Sequence, residues 1–590
     1  MHPVEYRIRG GEFLTKDVSF DSIFTPEDQT DEHKMIAATA RQFITREIQP
    51  HRSQIEEGDF NFVKDKMKRA GNLGLLGHSI PEKYGGLGLD KISKGIVGES
   101  LGHAGGYSVA HSNHTCIATL PITYFGTEDQ KMKYLPKLAS GEYIGAYCLT
   151  EPEAGSDALS ARTTAVLNES ETHYVLNGTK IYITNAAFSD TFIVYAKVDG
   201  EHFTAFIVEK DFPGLSIGPE ENKMGIKGSS TCSVVMEDCE VPVENLLGEV
   251  GKGHIIALNV LNLGRFNLGF ATNGAAKYSL QLAVDHISQR KQFGKRIADF
   301  RASKEKIASM TARIYAAESL LYRTAGHIES VLGDHYETAD KSAVAMAMNE
   351  HRMEAAICKV VGSETLDYVV DESLQLHGGA GFIKEYPIEQ AYRDSRINRI
   401  FEGTNEINRL LIPSAFLQKA SKGELDVEEL MNKAKSSLKE GSYKKGESFL
   451  DKCDEAVAVY KLLFSITAGA AYQRYGKQVQ HEQETLMNLA NIAMEVYRTE
   501  SAVLRTKKAS VSEDSNTDLK LNLTAAVIEQ STYEVHKAAS NLFSSLLSGK
   551  ERKKALSNVA VFLNEYLFED ALERNRTIAD VIVESGQYTF

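Results

Sequence analysis

Cysteine is scarce: six residues in a chain of 590. So few thiols cannot build the disulfide framework of a small secreted domain. The nearest pair, Cys232 and Cys239, lacks the spacing of a zinc or redox motif, and Cys116, Cys148, Cys358 and Cys453 are scattered. All six read as small buried hydrophobes in a reducing compartment. Long apolar runs are also missing. None reaches the roughly 18 residues of a membrane span. The opening MHPVEYRIRGGEFL has neither an apolar signal core nor the Arg/Ser-rich helix of a transit peptide, so a cytoplasmic location is expected. There is no excess of positive charge. Lys+Arg number 66 against 80 Asp+Glu, a net −14, which excludes a whole-surface nucleic-acid binder but leaves room for a local basic pocket. Several signature loops are absent as well: the G-x-x-x-x-G-K-[ST] phosphate loop, a G-x-G-x-x-G between strand and helix, and the G-x-S-x-G elbow. His111 and His114 stand three apart without an acid at zincin spacing, so they read as structural and no metal site is expected.

What is present is ordinary globular material, 42% hydrophobic and 25% charged. The length suggests about three or four domains, large enough to fold without disulfides or metals. Residues 1–29 read as an N-terminal arm. Thr25-Pro26-Glu27-Asp28 is a helix-start pattern, after which Ile36, Ala40, Phe43 and Ile44 recur at helical spacing through a helical domain, 30–142. Near Tyr143 the period changes to that of strands. Asn177-Gly178 and Asp199-Gly200 each sit between apolar runs and predict hairpins in a small antiparallel β-domain, 143–253. Helical spacing returns for 254–412, with Pro413 closing that region, and persists through 413–590, which opens with Lys433, Lys435, Lys439, Lys444 and Lys445. Helices, then strands, then helices give an α+β class with segregated layers rather than a parallel sheet.

Three segments combine small, polar and glycine residues beside aromatics. Tyr147-Cys148-Leu149-Thr150-Glu151-Pro152-Glu153-Ala154-Gly155-Ser156-Asp157 runs from a strand into a turn, either an acidic turn or a close approach to a ring or phosphate. Gln375-Leu376-His377-Gly378-Gly379-Ala380-Gly381-Phe382 is either a helix–helix turn or a ligand approach. Phe401-Glu402-Gly403-Thr404-Asn405-Glu406-Ile407-Asn408-Arg409 places an acid before a helix, either solvated or poised at a cleft.

In order and wording the three segments resemble one family, the flavin-dependent acyl-CoA dehydrogenases. PEKYGGLG (81–88), KIYITNA (180–186), RKQFGK (290–295) and EYPIEQAYRDSRI (385–397) extend the resemblance over roughly 30–412. The RGGEFL opening and the last ~175 residues are similar only to the very-long-chain branch, in its bacterial form, which carries an extra helical domain. The resemblance implies an N-terminal helical domain, a middle β-barrel domain, a four-helix bundle and that additional domain.

It also implies FAD as cofactor and Glu402 as the base that removes the pro-R α-proton of an acyl-CoA thioester, with hydride passing to the flavin. A carboxylate at about 4.3 is too weak for that proton, so burial is expected to raise its pKa. The flavin ribityl hydroxyl and the Glu402 amide would polarise the thioester carbonyl. Flavin contacts carried over are Tyr147, Leu149, Thr150, Gly155, Ser156, Tyr182 and Thr184, with Gln375, Gly378, Gly379, Thr404 and Glu406. Arg290, Gln292 and Phe293 would reach the flavin of a partner subunit. Tyr182 departs from the family, which often has Trp there; this chain has none. Ser156, Asn262, Arg265 and Gly403 would contact the substrate, with an interhelical ion pair as the alternative for Arg265. Gly264 precedes Arg265 and cannot be a base, which disfavours the isovaleryl-type arrangement. Ser108, Ala110, Ser112 and Ala118 either line an acyl tunnel or pack as small residues do. The reading that follows is a homodimer oxidising long-chain acyl-CoA to trans-2-enoyl-CoA in β-oxidation, with an electron-transfer flavoprotein as acceptor. The alternatives are an acyl-CoA oxidase, and an assembly scaffold on the same fold. The Lys-rich stretch is a candidate for peripheral contact with anionic lipid, against a solvated charged face.

Overall fold

Thr25 and Asp28 cap each other, but around a single 3-10 turn, Pro26–Asp28. The first long helix, α1 (Asp31–Phe43), starts after it under its own cap, Thr30 with His33. The turn serves instead to aim Glu27 at Arg505, whose Nε donates to its carboxylate at 2.9 Å. The computed structural model describes residues 7–336, 338–426 and 448–590. Six further helices follow: α2 (Arg52–Glu56), α3 (Phe60–Asn72), α4 (Lys91–Leu101), α5 (Gly106–Asn113), α6 (Leu120–Phe125) and α7 (Glu128–Ser140). The small residues in this region permit close packing on the strands. Asn185 Nδ2 donates to the Ala110 carbonyl at 2.8 Å. A Cβ on Gly106 would stand 2.5 Å from the Gly228 nitrogen. His111 and His114 are spent structurally, with Nε2 on the carbonyls of Leu75 and Leu138 at 3.0 Å each.

The strands β1 (Gly145–Cys148), β2 (Thr164–Leu167), β3 (His173–Thr184), β4 (Thr191–Val198), β5 (His202–Glu209), β6 (Leu215–Glu220), β7 (Thr231–Pro242) and β8 (Leu246–Leu247) form one sheet. Its order is β6-β7-β3-β2-β4-β5-β8, with β1 on β4. The sheet is mixed, not wholly antiparallel, because β1 and β2 both run parallel to β4. Asp199-Gly200 makes the expected turn, closing β4 onto β5 with Val198 opposite His202. Asn177-Gly178 does not turn. β3 runs straight through it, and the register against β7 slips between Leu176 and Gly178, as at a bulge. Thr163 lies over the bulge: a Cβ on Gly178 would meet its Oγ1 at 2.5 Å.

The bundle consists of α8 (Gly253–Gln289), α9 (Arg301–Leu332), α10 (Lys341–Glu350), α11 (Arg352–His377), α12 (Pro387–Ser395) and α13 (Asn405–Ser421). Pro413 does not end this region. It sits inside α13, buried, and costs the helix only the bond to the Arg409 carbonyl. The additional helices are α14 (Phe449–Tyr475), α15 (Gln483–Val511), α16 (Thr517–Leu546), α17 (Gly549–Asn564) and α18 (Ala571–Ser585). The apolar faces of α14–α17 share one continuous core with the bundle, and α18 packs on the bundle through Ala579 and Ile582. No described helix is long and apolar enough to cross a membrane, and the Lys-rich stretch 433–445 lies outside the described residues. The six cysteines are free and buried.

Ion pairs fasten the additional helices to the rest. Arg505 on α15 is buried between Glu318 of α9 (2.7 Å) and Glu27 (2.8 Å). Arg323 of α9 and Lys461 of α14 share Glu500 of α15 at 2.8 and 2.6 Å. The segment before Glu12 is docked as well. The Gly10 and Gly11 amides donate to Glu350 and Glu354 at 2.8 and 2.7 Å, and a Cβ on Gly10 would overlap the Glu350 carbonyl at 2.0 Å. Removing one member of a buried pair leaves the other charge unpaired, at a cost of about 3–5 kcal/mol. Arg505→Ala is therefore expected to lower the unfolding midpoint and to release the segment around Glu27 to proteolysis. Thermal unfolding with limited proteolysis checks this; an unchanged midpoint would show that these ion pairs do not hold the additional helices.

Candidate active site

Glu402 lies between α12 and α13, where its backbone takes φ 58° and that of Gly403 φ 78°. A left-handed glutamate costs of order 1–3 kcal/mol and persists only where its surroundings hold it. Three side chains do so here. Arg265 of α8 donates from Nε to the Glu402 carbonyl at 3.2 Å. Asn408 Nδ2 reaches the carbonyls of Gly403 and Thr404 at 2.8 and 3.0 Å. Lys359 of α11 donates to the Gly403 carbonyl at 2.8 Å and to Asn405 Oδ1 at 2.7 Å. Thr404 accepts from the Ile407 amide at 3.3 Å and so caps α13.

So fixed, the Glu402 side chain points at α8 where α8 has no side chain. A Cβ on Gly264 would stand 2.8 Å from Glu402 Oε2. That oxygen is buried and has no hydrogen-bond partner. Burial pushes the carboxyl up to about 7, against the downward pull of Arg265 and then Lys359. The same burial lowers Lys359 to about 7, with Glu402 as the largest opposing charge. The Tyr147 hydroxyl is held well above its usual value by burial, then by Tyr195, so it stays neutral beside the carboxylate.

The residues expected to meet a flavin fall into two groups. The first lies on β1, β3 and the turn after β1. The Ile181 amide donates to the Thr150 carbonyl at 3.0 Å. Lys180 reaches Glu151 at 2.6 Å and the Leu149 carbonyl at 3.3 Å. Tyr147 and Leu149 are buried, Thr150 and Thr184 half-buried, and Gly155 and Ser156 exposed. Tyr182 holds its ring 63% exposed on a left-handed backbone. The second group lies at the far ends of α8 and α11. Arg290, Gln292 and Phe293 stand on a hairpin, β9 (Lys291–Gln292) with β10 (Lys295–Arg296), where Phe293 is 94% exposed. Gln375, Gly378 and Gly379 follow on the end of α11, exposed, beside His377 stacked on His286 at 4.4 Å. Tyr147 of the first group lies close enough to Arg265 to feel its charge, and at 1.5 Å per residue Arg290, just past the end of α8, is about 37 Å further along that helix axis. Gly155, Gly378 and Gly379 have no atom within 4 Å of where a Cβ would stand. Open glycine backbone, an exposed aromatic face and an unpartnered buried carboxylate oxygen together fit FAD.

Asn262 and Arg265 are buried and turned toward the loop, with Arg265 Nη1 donating to Asn262 Oδ1 at 3.0 Å. The ion-pair alternative for Arg265 does not hold: its hydrogen-bond partners are a carbonyl and an amide. Glu406 is exposed. The sequence reading missed Lys359, Asn405, Asn408, Glu364 and Arg409. Lys359 had a signal, a single cation inside the apolar helix stretch AAICKVVG. Asn405, Asn408 and Arg409 lie within FEGTNEINR, where no role fell to them individually.

The chain matches family models for the acyl-CoA dehydrogenase N-terminal domain over residues 30–142, the middle domain over 146–239, and the C-terminal domain over 251–417, with a second C-terminal-domain model over 459–560. It is 48% identical to a probable acyl-CoA dehydrogenase of Bacillus subtilis, over 98% of both chains. It is 38% identical to the human mitochondrial very long-chain specific acyl-CoA dehydrogenase, over 65% of this chain and 58% of that one. A crystal structure of an acyl-CoA dehydrogenase complexed with FAD from Bacillus anthracis superposes with TM-score 0.95 at 47% identity, covering 99% of this chain and 100% of that one. Butyryl-CoA dehydrogenase from Megasphaera elsdenii superposes with TM-score 0.60 at 36% identity, over 66% of this chain and 99% of the other. The chain belongs to the acyl-CoA dehydrogenase family and is an FAD-dependent oxidoreductase whose bundle carries an additional helical domain.

Proposed function

We propose that the protein is a homodimer that oxidises long-chain acyl-CoA to trans-2-enoyl-CoA in fatty-acid β-oxidation, with Glu402 as the α-proton base and an electron-transfer flavoprotein as acceptor. The observation that carries this is the Glu402 carboxylate, buried over Gly264 with one oxygen free and its pKa raised to about 7. A base near the operating pH is suited to a weakly acidic thioester α-proton. FAD, when bound, would supply the hydride acceptor for the β-carbon. The chain itself supplies the rest. Glu402 takes the α-proton. Its backbone amide makes no hydrogen bond among the described residues and is the natural donor to the thioester carbonyl, stabilising the developing enolate. Arg265, Asn408 and Lys359 hold the loop carbonyls, so the carboxylate does not swing away from the substrate. Tyr147, Leu149, Thr150, Gly155, Ser156, Tyr182 and Thr184 would form the near wall of the flavin site. Arg290, Gln292, Phe293, Gln375, Gly378 and Gly379, standing apart at the bundle end, would complete it from the partner subunit; this supports the dimer. Resemblance to the branch with an additional domain supports long acyl chains.

Two variants and one titration test the reading. Glu402→Gln is expected to keep its yellow colour and FAD content while turnover falls by about 10²–10⁴-fold or more. Anaerobic addition of C8 to C20 acyl-CoA should bleach the wild-type flavin band but not the variant's, and the best-bleaching length gives the substrate. A variant that bleaches normally would remove Glu402 from the mechanism, and wild type that bleaches best with short chains would remove the long-chain assignment. Gly264→Ala forces the carboxylate to move. A displacement near 1 Å in such a site costs about 10²-fold, so kcat should fall by that order with FAD content unchanged. An alanine enzyme with wild-type kcat would show that the carboxylate does not work from this position.

A further inference from the structure

A cavity of about 280 Å³ lies where the additional helices meet the bundle. Its walls include Arg313 of α9, Glu364 of α11, Arg409 of α13, Glu495 and Arg498 of α15, and Lys537 of α16. Two of the carboxylates are already taken. Glu364 receives both terminal nitrogens of Arg409 at 2.7 and 2.8 Å. Glu495 receives Arg498 at 3.1 Å and the Ser531 hydroxyl at 2.6 Å. Arg313 has no carboxylate partner among the described residues. Its guanidinium lies over the Tyr368 ring at 4.2 Å, and its buried Nε has no hydrogen-bond partner. Arg498 is only 5% exposed; its terminal nitrogens are bonded to Glu495 and, at 2.9 Å, to Gln530, and its buried Nε has no hydrogen-bond partner. Burial first, and then the Arg498 charge, hold Arg313 below its usual pKa. At the exposed rim, Glu534 and Lys537 oppose each other in sign, so the excess inside is positive. Two guanidiniums with unmet donors around one hollow is an arrangement that a small oxyanion resolves, since planar forks match carboxylate and phosphate oxygens.

We propose that this cleft binds a small oxyanion, a phosphate or a carboxylate, between Arg313 and Arg498 with Lys537 at its mouth. The ligand would bridge α9 of the bundle to α15 and α16, on the far side of Arg409 from Glu402. The test is calorimetric titration of the full-length FAD-loaded protein at low ionic strength, with inorganic phosphate in one arm and succinate in the other. Saturable binding of at least one is expected, weakened roughly tenfold by Arg313→Gln, as loss of one charge-assisted donor implies. Lys537→Gln, on the exposed rim and harmless to folding, should weaken it in the same direction, and Arg301→Gln, at the start of α9 and outside the cleft, should not. Binding of phosphate alone, or of succinate alone, identifies the ligand's head group. Absence of saturable binding in both arms at millimolar concentration, or binding that survives both Arg313→Gln and Lys537→Gln, overturns the proposal.

Discussion

The Glu402 carboxylate sits out of water yet must be ionised to act. Most of the site follows from that conflict. Burial raises its pKa, and the two nearest cations, Arg265 and Lys359, pull it back without forming an ion pair with it. Both bond the backbone of the loop instead. Had either cation closed onto the carboxylate, it would have lowered the pKa well below neutrality and left the group a poor base. Placing the cations on the carbonyls rather than on the carboxylate keeps the charge nearby and the oxygen free.

The arrangement depends on packing a long way from the loop. Asn405, which Lys359 holds, also donates to Glu364 at 3.0 Å. Glu364 is gripped by Arg409, whose Nε donates to Asn491 of α15 at 2.8 Å. One polar chain therefore runs from the catalytic loop to the additional domain, which Arg505 and Arg323 fasten to α9. The additional helices are continuous with the bundle core rather than an appended module, and they brace the helix that starts at the catalytic loop.

The class of the fold was legible in the change of hydrophobic period near Tyr143 and its reversal near Gly253, because strand and helix faces impose different spacings on apolar residues. What failed were places where tertiary contact outvoted a local signal. Asn177-Gly178 has turn chemistry, but pairing of β3 with β7 along its whole length makes it a bulge. Pro413 looks like a stop, but burial of α13 carries the helix through it. Thr25-Pro26 begins a helix that one turn later has to begin again. In the site, Glu402 was legible only through the wording of its segment; a lone glutamate has no physical signature in sequence. Lys359 and Asn408 act on backbone carbonyls, and Asn405 on the side chains of Ser363 and Glu364; nothing in a sequence marks which group a side chain will find. The wide separation of the two groups of flavin residues was likewise invisible until α8 proved to be one unbroken helix of 37 residues.

A raised carboxyl pKa has a definite sign. Its protonated form stabilises the fold at low pH, and that contribution is lost as pH rises from about 4.5 toward about 7. The ionised form that works as the base therefore appears as the stabilisation disappears. The most direct measurement is the pH dependence of kcat/KM for dehydrogenation, which reports the free enzyme's essential base. Activity is expected to rise with pH through an acid limb near 7, the value to which burial raises Glu402. An acid limb near 4.5, the ordinary carboxylate value, would show that Glu402 is not desolvated in the working enzyme and that burial does not set its basicity.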